Sequence, residues 1–260
     1  MPLYKEQGIV LRSVKLGEAD KIVTILTQSS GKVRGVAKGI RRTTSKFGGR
    51  LEPFTHVSLL MYRGRNLDTV TQAEILSPFV ELRSEFDLIA AGETMLEAVD
   101  RVAEEHERNV RLFLLLLGGL RVLEGRPNDP AAVAECFLLK LLSLSGFHPS
   151  LTGCGACGIP GPHGWFSAGQ GGVVCSDCAG DDAGRVAEPP VRWLDALARV
   201  DLPGAGDMTP SDEVRREARA LLYGFTEYHL ERRMRTFALL ARRARTATSS
   251  DQEPALSILS

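Results

Sequence analysis

Over the first 75 residues, short apolar runs alternate with turn residues at a spacing that predicts β-strands. Gly8 to Val14, Lys21 to Thr27, Lys32 to Ala37, Thr55 to Tyr62 and Leu67 to Ala73 are rich in Val, Ile, Leu and Thr. Ser29-Ser30-Gly31 and Arg63-Gly64-Arg65-Asn66 separate them as turns. Five such strands suit a small closed barrel. An OB-fold is the natural candidate, and an SH3-like barrel fits the periodicity almost as well.

After Pro78 the punctuation becomes helical. Asp129 and Pro130 precede an apolar run that ends at Gly146, giving a capping oxygen, a first-turn Pro and a terminal Gly for a helix from Pro130 to Ser145. Thr209-Pro210-Ser211-Asp212-Glu213 opens another, with acids in its first turn, and Arg242, Arg243 and Arg245 close it where the macrodipole favours cations. Ser84 to His106 and Val191 to Val200 also read as helices. Leu112 to Leu120 is dense in leucine, but Gly118 and Gly119 interrupt it and it is far too short to span a bilayer. The polar end, from Thr246 to Ser260, has no clear period and predicts disorder. The expected organisation is an α+β chain: a barrel domain at 1–80, an all-α domain at 81–248 and a disordered tail at 249–260.

Charge sharpens this division. The 260 residues carry no net charge, but residues 1–75 hold thirteen Lys and Arg against six Asp and Glu, a net of +7, so the remainder carries −7. Such asymmetry points the N-terminal part toward a polyanion. The start of the chain has no apolar block of signal-peptide length, and a cytoplasmic location with reduced thiols is expected.

Two features carry chemistry. Cys154 and Cys157 form one CxxC pair and Cys175 and Cys178 a second, seventeen residues later, within the range of a zinc site. Gly153, Gly155 and Gly158 supply the permissive backbone of such a knuckle. Four thiolates would fill tetrahedral zinc and leave no position for water, so one structural Zn²⁺ is expected in a module at 151–182. Disulfides or a redox dithiol are the competing readings. His148 and His163 lie nearby but are not needed as ligands, and Cys136, inside an apolar helix, reads as a core residue.

The second feature is the acid-free segment Gly31 to Arg50, which carries Lys32, Arg34, Lys38, Arg41, Arg42, Lys46 and Arg50. Long cations among Gly, Ser and Thr suit phosphate contacts, and Phe47 is the best candidate for stacking on an unpaired base. Phe54 and Tyr62, at strand ends, read as core. A solvated basic loop is the bland alternative. Clustered carboxylates for Mg²⁺ are not evident beside the loop, and no GxxxxGK[ST] phosphate loop occurs, which favours a binding module over an enzyme. An RNA- or ribosome-associated protein and a metal-dependent nuclease remain the other classes.

Gly8-Ile-Val-Leu-Arg12, Leu16-Gly-Glu-Ala-Asp20, Ile22 to Thr27, Gly31 to Arg42 and Phe47-Gly-Gly-Arg-Leu-Glu-Pro-Phe54 closely resemble the bacterial RecO family of recombination and repair proteins. The resemblance is dense over residues 4–80 and continues through the position of the cysteine insertion. It implies a non-enzymatic recombination mediator with an N-terminal OB-fold and a helical C-terminal domain. Such proteins bind single- and double-stranded DNA and anneal complementary strands. Their partners are RecR, the acidic C-terminal tail of single-stranded DNA-binding protein and, indirectly, RecA. The zinc module occurs in only some members, which implies a local staple.

Overall fold

The computed structural model describes residues 3–241. Its first third is a closed five-stranded barrel of β1 (Leu3–Leu16), β2 (Asp20–Thr27), β3 (Gly31–Ala37), β4 (His56–Tyr62) and β5 (Asp68–Ser77). The order around the barrel is β1-β2-β3-β5-β4, closed by antiparallel β1 and β4 and by a short parallel pairing of Gly35 and Val36 with Asp68 and Thr69. This is the OB topology.

Period-two alternation builds the interior. In β3, Val33, Gly35 and Ala37 face inward, while Lys32, Arg34 and Val36 are half-buried. The barrel core also takes Val10, Val23, Ile25, Val57, Leu59, Met61 and Val70. In β1 the run Ile9, Val10, Leu11 is buried without alternation. Val10 enters the barrel, whereas Ile9 and Leu11 belong to a second core shared with the helices. A strand covered on both faces loses the half-polar pattern.

The helices are α1 (Phe86–Val102), α2 (Val110–Glu124), α3 (Pro130–Leu144), α4 (Glu188–Arg199), α5 (Leu202–Ala205), α6 (Asp212–His229) and α7 (Phe237–Ala241). Asn109, Asp129 and Ser211 each cap a helix by accepting from a backbone N–H three residues on. Twelve of the fifteen α3 residues are buried, because α1, α2, α4, α5 and α6 all pack around it. Asp129, at the N-cap of α3, and Glu135, within it, face Arg215 and Arg219 on α6, and Arg219 Nε donates to Glu135 Oε1 at 2.6 Å.

One expectation needs correction. The helix opened by Ser211 ends at His229, not among Arg242, Arg243 and Arg245, because Glu231 takes a left-handed φ of 51° and turns the chain. Those arginines, and the tail at 249–260, lie outside the described residues. The leucine stretch interrupted by Gly118 and Gly119 forms α2, and a Cβ at Gly119 would come within 2.9 Å of Met95 Sδ, so this glycine permits close helix packing. No helix among the described residues is long and apolar enough to cross a membrane.

Candidate nucleic-acid interface and metal centre

The basic segment continues from β3 into a long connection that is anchored, not free. Ile40, Phe47 and Leu51 are buried in the barrel core and plug its end. The Gly39 amide donates to Asp20 Oδ1 at 2.7 Å and the Arg41 amide to the Ala19 carbonyl at 2.9 Å, fastening the connection to the β1–β2 turn. Between these anchors Lys38, Arg41, Arg42 and Lys46 are exposed. None of the four has a carboxylate partner among the described residues. Arg41 instead donates to the Gly17 and Glu18 carbonyls, at 3.1 and 2.8 Å, and Lys46 to the Thr71 carbonyl at 2.7 Å. Carbonyls position these cations without neutralising them, so their charge remains available to an anion. Arg50 donates to the Lys46 and Phe47 carbonyls and braces the same turn.

Three sequence expectations change here. Phe47 is 1 % exposed, so its ring cannot receive a base; the barrel needs an apolar plug at this end, and Phe47 supplies it while Lys46 sits 5.2 Å over its ring. Tyr62 is exposed rather than core, whereas Phe54 is buried against α1 beside Gly92. Lys32 turns away from the loop: its Nζ donates to the Asp100 carbonyl at 2.7 Å and stands 3.6 Å from the Asp100 carboxylate. Arg34 faces Glu105 at 3.8 Å.

The cysteines converge as their spacing predicts. The Sγ atoms of Cys154, Cys157, Cys175 and Cys178 all lie within 4.8 Å of one another, and those of Cys157 and Cys175 are 3.9 Å apart. Zinc at ~2.3 Å from each sulfur sets tetrahedral S···S edges of about 3.8 Å, so the donor set fits that ion. Each CxxC is one tight turn: the Gly158 amide donates to the Cys154 carbonyl at 2.8 Å, and Cys178 and Ala179 close on the Cys175 carbonyl. Gly158 has φ +77°, and a Cβ at Gly155 would meet the Gln170 carbonyl oxygen at 2.4 Å. The strands β6 (Trp165–Ser167), β7 (Gly172–Val174) and β8 (Gly184–Arg185) form a small sheet beside the turns. His148 pairs with Ser143, and His163 with the Ile159 carbonyl; neither belongs to the cluster.

Electrostatics makes the same demand for a cation. Backbone N–H groups of Cys175 and Cys157 pull the Cys154 thiol down to about 6, while hydrogen bonding to Cys175 and Cys157 pushes the Cys178 thiol up to about 12. Thiols this close oppose one another's ionisation, and a cation bound among them would offset that repulsion. Cys136 is fully buried, and burial raises its thiol to about 11, as suits a core residue.

The family description Recombination protein O N terminal matches residues 1–79, and Recombination protein O C terminal matches residues 83–237. The chain belongs to the RecO family of DNA repair proteins. The DNA repair protein RecO of Frankia casuarinae is 45 % identical over 244 residues, covering 93 % of this chain and 100 % of that protein. Its Nocardioides counterpart is 46 % identical over 249 residues, covering 92 % and 100 %, and that of Thermobifida fusca 43 % over 246 residues, covering 93 % and 100 %. The basic connection lies within the N-terminal RecO match and the cysteine knuckle within the C-terminal one.

In this RecO-family chain the connection between β3 and β4 was visible as a basic run, but its division of labour was not. Strand alternation places Lys32 and Arg34 outward on β3; α1 draws Lys32 into a structural contact through Asp100, while Arg34 keeps only a long, exposed contact with Glu105 in the loop between α1 and α2.

Proposed function

We propose that the chain is a non-enzymatic recombination mediator, acting in the cytoplasm at the nucleoid, that binds single- and double-stranded DNA through the barrel and anneals complementary strands. One observation carries this reading: Lys38, Arg41, Arg42 and Lys46 project from an anchored barrel connection without a carboxylate to neutralise them. Annealing makes and breaks no covalent bond. It requires a surface that holds two polyanions while screening their repulsion, and fixed cations supply that. Arg50, beside these four, extends the same surface.

Relatives named DNA repair proteins support the setting. We infer RecR and the acidic tail of single-stranded DNA-binding protein as partners, with the tail docking on the helices, and RecA loading as the downstream result. The four cysteines hold one structural Zn²⁺ in this reading, as a closed site with no open coordination position.

The test is strand annealing followed by fluorescence quenching, with matched DNA and RNA strands. Annealing should be faster with DNA and should fall when Lys38, Arg41, Arg42 and Lys46 are all replaced by Ala. Preference for RNA would favour an RNA-associated protein, and Mg²⁺-dependent cleavage of the labelled strands would make it a nuclease.

A further inference from the structure

At the opposite end of β3 from the basic connection lies a cleft of about 440 Å³ between the β2–β3 turn, the β4–β5 turn and the loop that joins α1 to α2. Arg34, Arg63 and Arg65 line it. Arg63 and Arg65 are exposed and have no carboxylate partner among the described residues. Arg34 has only the long, solvent-exposed contact with Glu105, and its Nε is buried without a hydrogen-bond partner. The other acid in the cleft, Asp68, is 5 % exposed and already engaged, accepting from the Gly64 amide at 2.9 Å and from the Tyr4 hydroxyl. Neutral donors leave Asp68 charged, so the lining holds three cations against the two acids Asp68 and Glu105, and the cationic excess sits on Arg63 and Arg65 at the mouth.

The cleft is also preformed. The Lys32 amide donates to the Glu104 carbonyl, and the His106 amide donates back to the Lys32 carbonyl at 3.0 Å, so the helical body forms a fixed wall. Gly31 makes this possible: it has φ +67°, and a Cβ there would lie 2.0 Å from the Glu107 carbonyl oxygen. Arg63 is steadied 5.1 Å over the Tyr4 ring. Cations held before the ligand arrives lose less freedom on binding it.

We propose that this cleft is a second phosphate site, which takes the phosphodiester backbone of a single strand as it leaves the basic connection. The inference rests on the barrel being a nucleic-acid binder, as argued above. Arg34 precedes Lys38 by four residues, about 13 Å along an extended strand, so one flexible single strand can reach both sites. Arginine forks suit phosphate oxygens, and contacts of this type carry no base identity.

The experiment is a fluorescence-anisotropy salt titration of the full chain with a thirty-residue oligothymidylate. It compares the parent, Arg63→Ala with Arg65→Ala, the matching Lys pair, and the quadruple Ala variant of Lys38, Arg41, Arg42 and Lys46. Two lost phosphate contacts should reduce the log-log salt slope by about 1.4, and the Lys pair should restore it because charge, not shape, sets the slope. A reduced slope in the cleft variant alone upholds the cleft and removes the connection as the DNA site. A reduced slope in the quadruple variant alone overturns the cleft and keeps the connection. Inorganic phosphate, titrated by NMR, separates the remaining source: if the Ala pair abolishes phosphate binding while the oligothymidylate slope is unchanged, the cleft takes the free ion and the proposal fails.

Discussion

The Lys32 ammonium, which sequence alone would assign to DNA, donates to the Asp100 carbonyl oxygen at 2.7 Å and so joins the barrel to α1. Its side chain is only 14 % exposed. Lys32→Ala should therefore act on stability, by about 1–2 kcal/mol for a charged hydrogen bond across a partly buried junction. Urea unfolding should show that loss, and the salt slope of DNA binding should stay at the parent value.

Replacing Cys154 and Cys157 with Ser should remove one zinc per chain and loosen the helices around the knuckle, because a structural site contributes folding free energy directly. Elemental analysis of protein purified without chelator gives the stoichiometry. DNA binding by the barrel should persist, since the cluster lies in the segment between α3 and α4.

Arg219 and Glu135 are both nearly inaccessible, and Arg219 also donates to the Leu240 carbonyl at 3.1 Å. Burial pushes the Glu135 carboxyl up, while Arg219 and Arg215 oppose that shift. Arg219→Ala alone leaves this acid only the longer Arg215 contact at 3.9 Å and should cost about 3 kcal/mol. Arg219→Met together with Glu135→Leu should recover most of that loss. A double-mutant cycle in urea reads the coupling.

Glu97 predicts a pH dependence. Burial would raise its carboxyl, but N–H groups of Thr236 and Arg235, aided by Arg101, hold it below its ordinary 4.5. A depressed pKa contributes stability that is present above the unfolded value and is lost as pH falls through the folded one. The stability gap between the parent and Glu97→Gln should therefore be full at pH 7 and shrink below about pH 4.5. Denaturation at both pH values measures it. The same variant should loosen the segment that carries Met234, Thr236 and α7 against α1.

The cysteine centre was legible because both CxxC pairs are local turns whose geometry follows from spacing. The five barrel strands were legible as runs rich in Val, Ile, Leu and Thr between turn residues; period two is clean in β3, whereas β1 and β2 bury consecutive residues. Phe47 was not, because an aromatic residue among glycines and cations carries no period; the signal lay in its company with Ile40 and Leu51, which close the barrel together. The roles of Lys32 and Arg34 depend on Asp100 and Glu105, some seventy residues away, and no local pattern reveals such contacts. The end of α6 was missed for a similar reason: after the turn at Glu231 the chain is held by distant contacts, the Arg235 and Thr236 amides on Glu97.

The central claim is that Lys38, Arg41, Arg42 and Lys46 grip phosphates, and salt dependence tests it most directly. With a slope near −0.7 per contact for single strands, four contacts should weaken binding about 50-fold between roughly 50 and 200 mM salt. Replacing all four with Ala should flatten the slope by about 3 for every DNA sequence alike, since phosphates carry no base identity. Coincident slopes for parent and quadruple variant would contradict the account and leave the connection a solvated basic loop.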